Sequence, residues 1–266
     1  MIITPENYFS PEAMWEYMSY SQYVSFAGTM GKKGCEAMAM AKLRGDYKDE
    51  VTNEMLIGSY VDAFFEGTLS AFQTAHPEIF LKDGVTLSSG FRRADEVIER
   101  IKRDKYFMLY MAGEKQVIFT ADLFGCKWKC KIDSLDRSRY ITDLKVMKSI
   151  RESFWVKDIG KMPFVQFWGY DIQAYVYQRI TKENIGVSLP PFIAAASKEL
   201  VPDIEIITFL QSDLDDTASL IEANMPRILK VKAGLVEPDR CGQCNWCKFT
   251  KVLTNPVYFR ELTETV

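Results

Sequence analysis

Asp133, Asp143 and Lys145 are the residues whose types and spacing lend themselves most directly to chemistry. Two carboxylates and an ammonium on one rigid scaffold suit a hard divalent cation, which takes oxygen ligands, and a phosphate diester that the cation polarises. The scaffold is legible around them. From Lys127 to Asp133 charged residues alternate with apolar or aromatic ones, the period of two of a half-buried strand, so Asp133 shares a side with Lys127, Lys129 and Lys131. Residues 134–139 supply turn chemistry, and residues 140–146 resume as a strand on which Asp143 and Lys145 share a side. A β-hairpin over residues 127–146 therefore gathers the three groups. Alternating charges also describe an ordinary solvated face, so the hairpin needs support from elsewhere in the chain.

The remaining elements are predicted from caps and periodicity. Ser10-Pro11-Glu12 starts a helix, residues 35–43 form an alanine- and methionine-rich one, and Thr52-Asn53-Glu54 opens another to about Leu69. On that third helix Asp62 and Glu66 are four apart and share a face among apolar neighbours, either as a solvated pair or around an attached cation. Further helices are expected over residues 88–105, 164–180 and 212–232, with strands at 116–120, 191–196 and 204–210. The helix over 164–180 is aromatic and puts Gln173 and Tyr177 one turn apart. The order is that of an α/β domain: a central mixed sheet flanked by helices, with helical additions at the N-terminus and a cysteine knuckle at the C-terminus. With no repeat or linker, residues 1–266 read as one domain, divided into 1–50 (helical part), 51–233 (core) and 234–266 (knuckle and tail).

Composition excludes several classes. The 266 residues are 47% hydrophobic, enough for a sizeable core, with no apolar run of membrane-spanning length and no signal-peptide start, so a cytoplasmic location is expected. A formal charge of -3 rules out binding nucleic acid through overall charge, leaving local patches such as Lys127, Lys129 and Lys131. The one histidine, His76, precedes Pro77 in an expected loop, so multi-histidine zinc sites and most histidine-based nucleophilic mechanisms are closed. No glycine-rich nucleotide loop is present. Trp128, Phe167 and Trp168 could stack on bases, although aromatics in an apolar pattern are more often core.

Six cysteines in a cytoplasmic chain argue against structural disulfides. Cys126 and Cys130 read as small packing residues. Cys241, Cys244 and Cys247 form a knuckle suited to a thiophilic metal, and Cys35 is the candidate fourth ligand.

Four stretches in order, Gly58 to Gly67, Lys129 to Asp133, Thr142 to Lys145 and Gln173 to Tyr177, resemble the RecE-type exonucleases of phages and prophages. These lie within the PD-(D/E)xK group, in the RecB-like branch, and the resemblance covers about Tyr20 to Thr254. It implies a restriction-endonuclease-like core and an exodeoxyribonuclease dependent on Mg²⁺ or Mn²⁺. Asp133, Asp143 and the Leu144 carbonyl would hold the metal, and Lys145 would orient or help deprotonate water. Glu66 would support the site, and Gln173 and Tyr177 would hold substrate. Asp62 stands where relatives commonly have histidine, so an anionic oxygen replaces a neutral nitrogen, which leaves altered metal preference or lost activity as alternatives. Degradation of duplex DNA from the 5′ end in phage-type recombination, a single-strand annealing protein as partner and a ring-like homo-oligomer are further implications. Nucleases of the AddB type and of CRISPR adaptation pair one early cysteine with three late ones around an iron-sulfur cluster. Their layout is similar to Cys35, Cys241, Cys244 and Cys247, though the last spacing here is shorter, and a [4Fe-4S] cluster, zinc or a metal-free knuckle all remain open.

Overall fold

The structure is a computed structural model that describes residues 1–262. In chain order it runs α1 (Pro11–Glu16), β1 (Tyr17–Met18), α2 (Tyr20–Ala27), α3 (Glu36–Arg44), α4 (Asn53–Glu66), α5 (Leu69–Ala75), α6 (Ser89–Lys102) and α7 (Lys105–Tyr110). There follow β2 (Glu114–Leu123), β3 (Cys126–Asp136), β4 (Tyr140–Met147), β5 (Ser153–Val156), β6 (Gly160–Pro163), α8 (Phe164–Trp168) and α9 (Tyr170–Ile185). The chain continues through β7 (Pro191–Ser197), β8 (Ile204–Thr208), α10 (Gln211–Lys232) and α11 (Asn245–Phe249).

The expected caps are in place at α1 and α4, where the Ser10 and Thr52 side chains accept from Ala13 N and Met55 N. α4 ends one residue before Gly67, whose left-handed φ of 77° closes it. The sheet is mixed, as expected. β2 runs antiparallel along the whole of β3, β4 pairs parallel with β7, and β8 closes the edge antiparallel to β7. β1, invisible in the sequence at two residues, pairs parallel with the start of β3.

The hairpin of β3 and β4 exists, but its ladder is short. Only Ser134↔Thr142, Leu135↔Ile141 and Asp136↔Tyr140 pair, so the strand continues through residues expected to be turn and then parts from its neighbour. From there β4 takes its partner in β7 alone, and the parting strands open a gap that begins at Asp133.

Helices cover both faces. One core gathers Tyr23, Trp128, Cys130, Ile132, Tyr175, Val176, Ile221 and Ile228 from α2, β3, α9 and α10. The other packs Val61, Phe91, Val97 and Ile101 of α4 and α6 against Leu144, Ala194 and Ala196. The long aromatic helix expected over 164–180 is two helices. Gly169 sits between them at φ 74°, and a Cβ there would lie 2.7 Å from Thr29 Cγ2, so the chain turns at a position only glycine fits. The helix expected over 212–232 starts one residue earlier, at Gln211, without a side-chain cap. The hairpin β5–β6 lacked any sequence signal and presents Trp155, 80% exposed.

Trp128 is fully buried, between Tyr23 and Phe124, so it is a core residue and not a base-stacking one. Trp128→Ala is expected to cost about 3–5 kcal/mol in denaturant melts. Among the described residues its indole N–H meets no acceptor stronger than the Cys126 sulfur, so Trp128→Phe, which removes that donor, should cost much less; equal losses for the two variants would overturn this account.

Candidate active site

The gap between β3 and β4 is where the chemistry-bearing side chains meet. Asp133, the last residue of β3 before the ladder begins, turns its Oδ2 to accept the backbone N–H of Leu144 at 2.9 Å. Asp143 accepts Gln173 Nε2 at 2.7 Å on Oδ1 and meets Lys145 Nζ at 2.5 Å on Oδ2. α9 thus fixes one carboxylate through Gln173, and β4 supplies its cation two residues on. Tyr170 faces Lys145, whose ammonium lies 5.1 Å from the ring centroid.

α4 approaches from the other side with Asp62 and Glu66, and the whole forms an open cleft of about 650 Å³. Tyr8, Tyr20, Lys131, Asp133, Asp143 and Tyr177 are among its walls. The sequence-derived set of Asp62, Glu66, Asp133, Asp143, Leu144, Lys145, Gln173 and Tyr177 therefore converges on one cleft.

The expected lysine patch does not form. Lys131 lines the cleft, but Lys127 is engaged outside it by Glu16 at 2.6 Å. Lys129 also borders the cleft but is 0% exposed, with its ammonium donating to the Tyr8 carbonyl under the N-terminal segment. Periodicity placed the three lysines on one side correctly; it could not show that Tyr8 and its neighbours roof that side. Burial, reinforced by Lys232, pushes the Lys129 ammonium down to about 8. Phe167 is stacked on Phe154 at 3.8 Å between centroids, and Lys32 sits over the ring of Trp168, which is 38% exposed.

Gln116 is a site residue that sequence reasoning passed over. It lies in β2 at φ 54°, a left-handed backbone for which glutamine has no preference, although Lys115 and Val117 on either side pair regularly with β3. Its Nε2 donates to Asp133 Oδ1 at 3.3 Å, and its Oε1 is buried without a hydrogen-bond partner. No residue type at this position signals such a conformation, so only the folded backbone exposes it.

Electrostatics set the resting state. Burial and then the Asp143 charge push the Asp133 carboxyl up to about 7, with Lys145 opposing. Burial also raises Asp62 well above the carboxylate range, joined by Asp133, Asp143 and Glu66. For Lys145 burial favours loss of the proton, yet Asp143 and Asp133 outweigh it and hold the ammonium charged. The cleft thus holds more carboxylate than its one contacting ammonium offsets. Paired carboxylates around an unpartnered amide oxygen are a donor set of oxygens, which fits Mg²⁺ or Mn²⁺.

The second predicted constellation is also assembled. Cys35 and Cys247 are buried, Cys241 and Cys244 are half-buried, and all four Sγ atoms lie within 4.8 Å of one another.

The family profile described as "PDDEXK-like domain of unknown function (DUF3799)" matches residues 19–250. The crystal structure of a "Putative exonuclease" from Eubacterium rectale superposes with a TM-score of 0.96, at 52% identity over 100% of both chains. SSO0001 matches at a TM-score of 0.29 and 10% identity, over 72% of this chain and 84% of that one, too distant to carry an argument. No curated protein matches the sequence.

In the fold Asp133 keeps its proton to about pH 7, whereas in the unfolded chain it loses it near about pH 4. Between those values the metal-free fold binds the extra proton, so this group's contribution to stability falls as pH rises through the window. Asp133→Asn, which keeps an acceptor for Leu144 N–H, should therefore gain on wild type in thermal melts from pH about 4 to about 7; a constant difference across that range would refute the assignment.

Proposed function

The chain belongs to the family of PDDEXK-like domains (DUF3799), and from that premise we propose that it is a metal-dependent nuclease that hydrolyses phosphodiester bonds at the ends of duplex DNA. The observation that carries the reading is the contact of Asp133 with the Leu144 backbone beside the Asp143–Lys145 pair. It brings two carboxylates and an ammonium together beside the Leu144 backbone on the wall of an open cleft. The exonuclease designation of the E. rectale protein supports attack at ends.

Asp133, Asp143 and the Leu144 carbonyl are the groups that would hold the cation, with Asp62 as an additional oxygen ligand. A divalent ion held by these groups would supply polarisation of the scissile phosphate and a lowered pKa for water. The chain's own residues do the rest. Lys145, held as the ammonium, offsets negative charge developing on the phosphate and can donate a hydrogen bond that orients the attacking water. Gln173 keeps Asp143 oriented by its 2.7 Å hydrogen bond. Glu66 supports the site from the end of α4, and Tyr177 with Lys131 lines the wall along which a backbone phosphate would lie. Replacement of a neutral ligand by Asp62 adds negative charge where the carboxyl is already buried beside Asp133. That favours a doubly charged, oxygen-seeking ion. A 5′-to-3′ direction, a role in phage-type recombination, an annealing-protein partner and a ring-like oligomer rest on the resemblance to RecE-type exonucleases.

A binding-only protein is the second reading, favoured by Asp62 alone. Linear and closed circular duplex DNA incubated with wild type and Asp143→Ala, in Mg²⁺ and in Mn²⁺, separates them. Loss of linear DNA only, reduced about a hundredfold or more in a folded Asp143→Ala protein, is expected. Cleavage of the circle would make the enzyme an endonuclease, and salt-sensitive DNA binding without turnover in either metal would sink the hydrolytic reading.

A further inference from the structure

The cysteine cluster has a geometry of its own, independent of the cleft. Cys35 precedes α3, Cys241 lies in the loop before α11, Cys244 caps that helix and Cys247 lies within it. The Sγ atoms of Cys35 and Cys247 are 3.6 Å apart, those of Cys35 and Cys244 3.6 Å, and those of Cys241 and Cys247 4.0 Å. No pair exceeds 4.8 Å. All six cysteines are free thiols, so the closeness is not that of disulfides.

We propose that Cys35, Cys241, Cys244 and Cys247 bind a single tetrahedral zinc ion, and not the [4Fe-4S] cluster that the layout of related nucleases suggests. Four sulfurs about 2.3 Å from one central ion form a tetrahedron with edges of about 3.8 Å. The observed separations bracket that edge. In a four-iron cube each thiolate binds its own corner, which spreads the sulfurs to about 6 Å from one another. The knuckle would have to be opened by more than 1 Å along every edge to admit it, since no edge exceeds 4.8 Å.

Local hydrogen bonding agrees. The backbone N–H of Cys244 points at Cys241 Sγ at 3.3 Å, and that of Cys247 at Cys244 Sγ at 3.4 Å. Such donors stabilise thiolates bound to a metal and fix their direction. Ala37, Met38 and Trp246 pack around the sulfurs. The segment is docked independently of any ion: Glu36 takes a two-pronged contact from Arg227 at 2.7 and 2.8 Å and accepts Asp239 N at 2.8 Å, while Ala37 N donates to Asp239 O at 3.0 Å. The thiols are therefore held in ligand positions by the surrounding fold. All four positions are filled by protein, the closed shell of a structural zinc site with no place for substrate.

The test is the metal content of the full chain, purified anaerobically without chelators from cells supplied with both iron and zinc. About one zinc per chain in a colourless protein is expected. A brown protein with several irons and sulfide, a single iron, or a chain free of metal would each overturn the proposal. Cobalt exchanged into the site should give the visible bands of tetrahedral thiolate coordination, and Cys241→Ser should weaken and shift them. Cys126→Ser, outside the knuckle, should leave metal content and spectrum unchanged; loss in that variant too would locate the metal elsewhere. Stripping the zinc with a mercurial and a chelator should lower the Tm and speed proteolysis of the segment after Gly234, readouts that do not depend on nuclease activity.

Discussion

One hydrogen bond organises the cleft: the Leu144 N–H given to the Asp133 carboxylate where a backbone carbonyl would stand if β3 and β4 had stayed together. The parting of the strands leaves a backbone donor that must find an acceptor, and the side chain that supplies one is also the deepest acid of the site. Geometry and chemistry are thus the same contact. The neighbouring Leu144 side chain is buried in the core between α4, α6 and β7, which clamps the donor from behind. Gln116, on the far strand, holds the other oxygen of the same carboxylate.

The arrangement carries an electrostatic cost that the fold alone does not remove. Asp62, Glu66, Asp133 and Asp143 converge while Lys145 contacts only one of them. Desolvation therefore keeps protons on acids that water would strip. In the proposed reading a doubly charged ion held by these oxygens would offset that repulsion. Asp62 adds to that charge from the inner side of a helix that is otherwise packed by Ile57, Tyr60 and Val61.

Much of this was legible in residues alone. The period of two through Lys131 and Asp133, the Thr52 cap that sets the phase of α4, and the four-residue spacing of Gln173 and Tyr177 are local rules, and each put its side chain on the side the structure uses. What was hidden depends on partners distant in sequence. Lys129 looked solvent-facing because nothing local announces that Tyr8 will cover it. Gly169 ends a helix at a left-handed φ, and Thr29, far away in sequence, leaves no room for a side chain there. Gln116 carries an unusual backbone that glutamine does not advertise. β1 and the β5–β6 hairpin are too short for a periodic signal, and exist because neighbouring strands accept them.

The contact between Cys35 and Cys247 closes a span of 212 residues. On a ribosome adding about 5–20 residues each second, Cys35 waits roughly ten to forty seconds for its partner to be made. The segment that seals α3 leaves the exit tunnel only after the whole sheet and α10 have done so. For most of that interval α3 stands on α1 and α2 alone, because α10 is made only shortly before Cys247, so the interval of synthesis is also the interval in which the thiol at its head is open to oxidation.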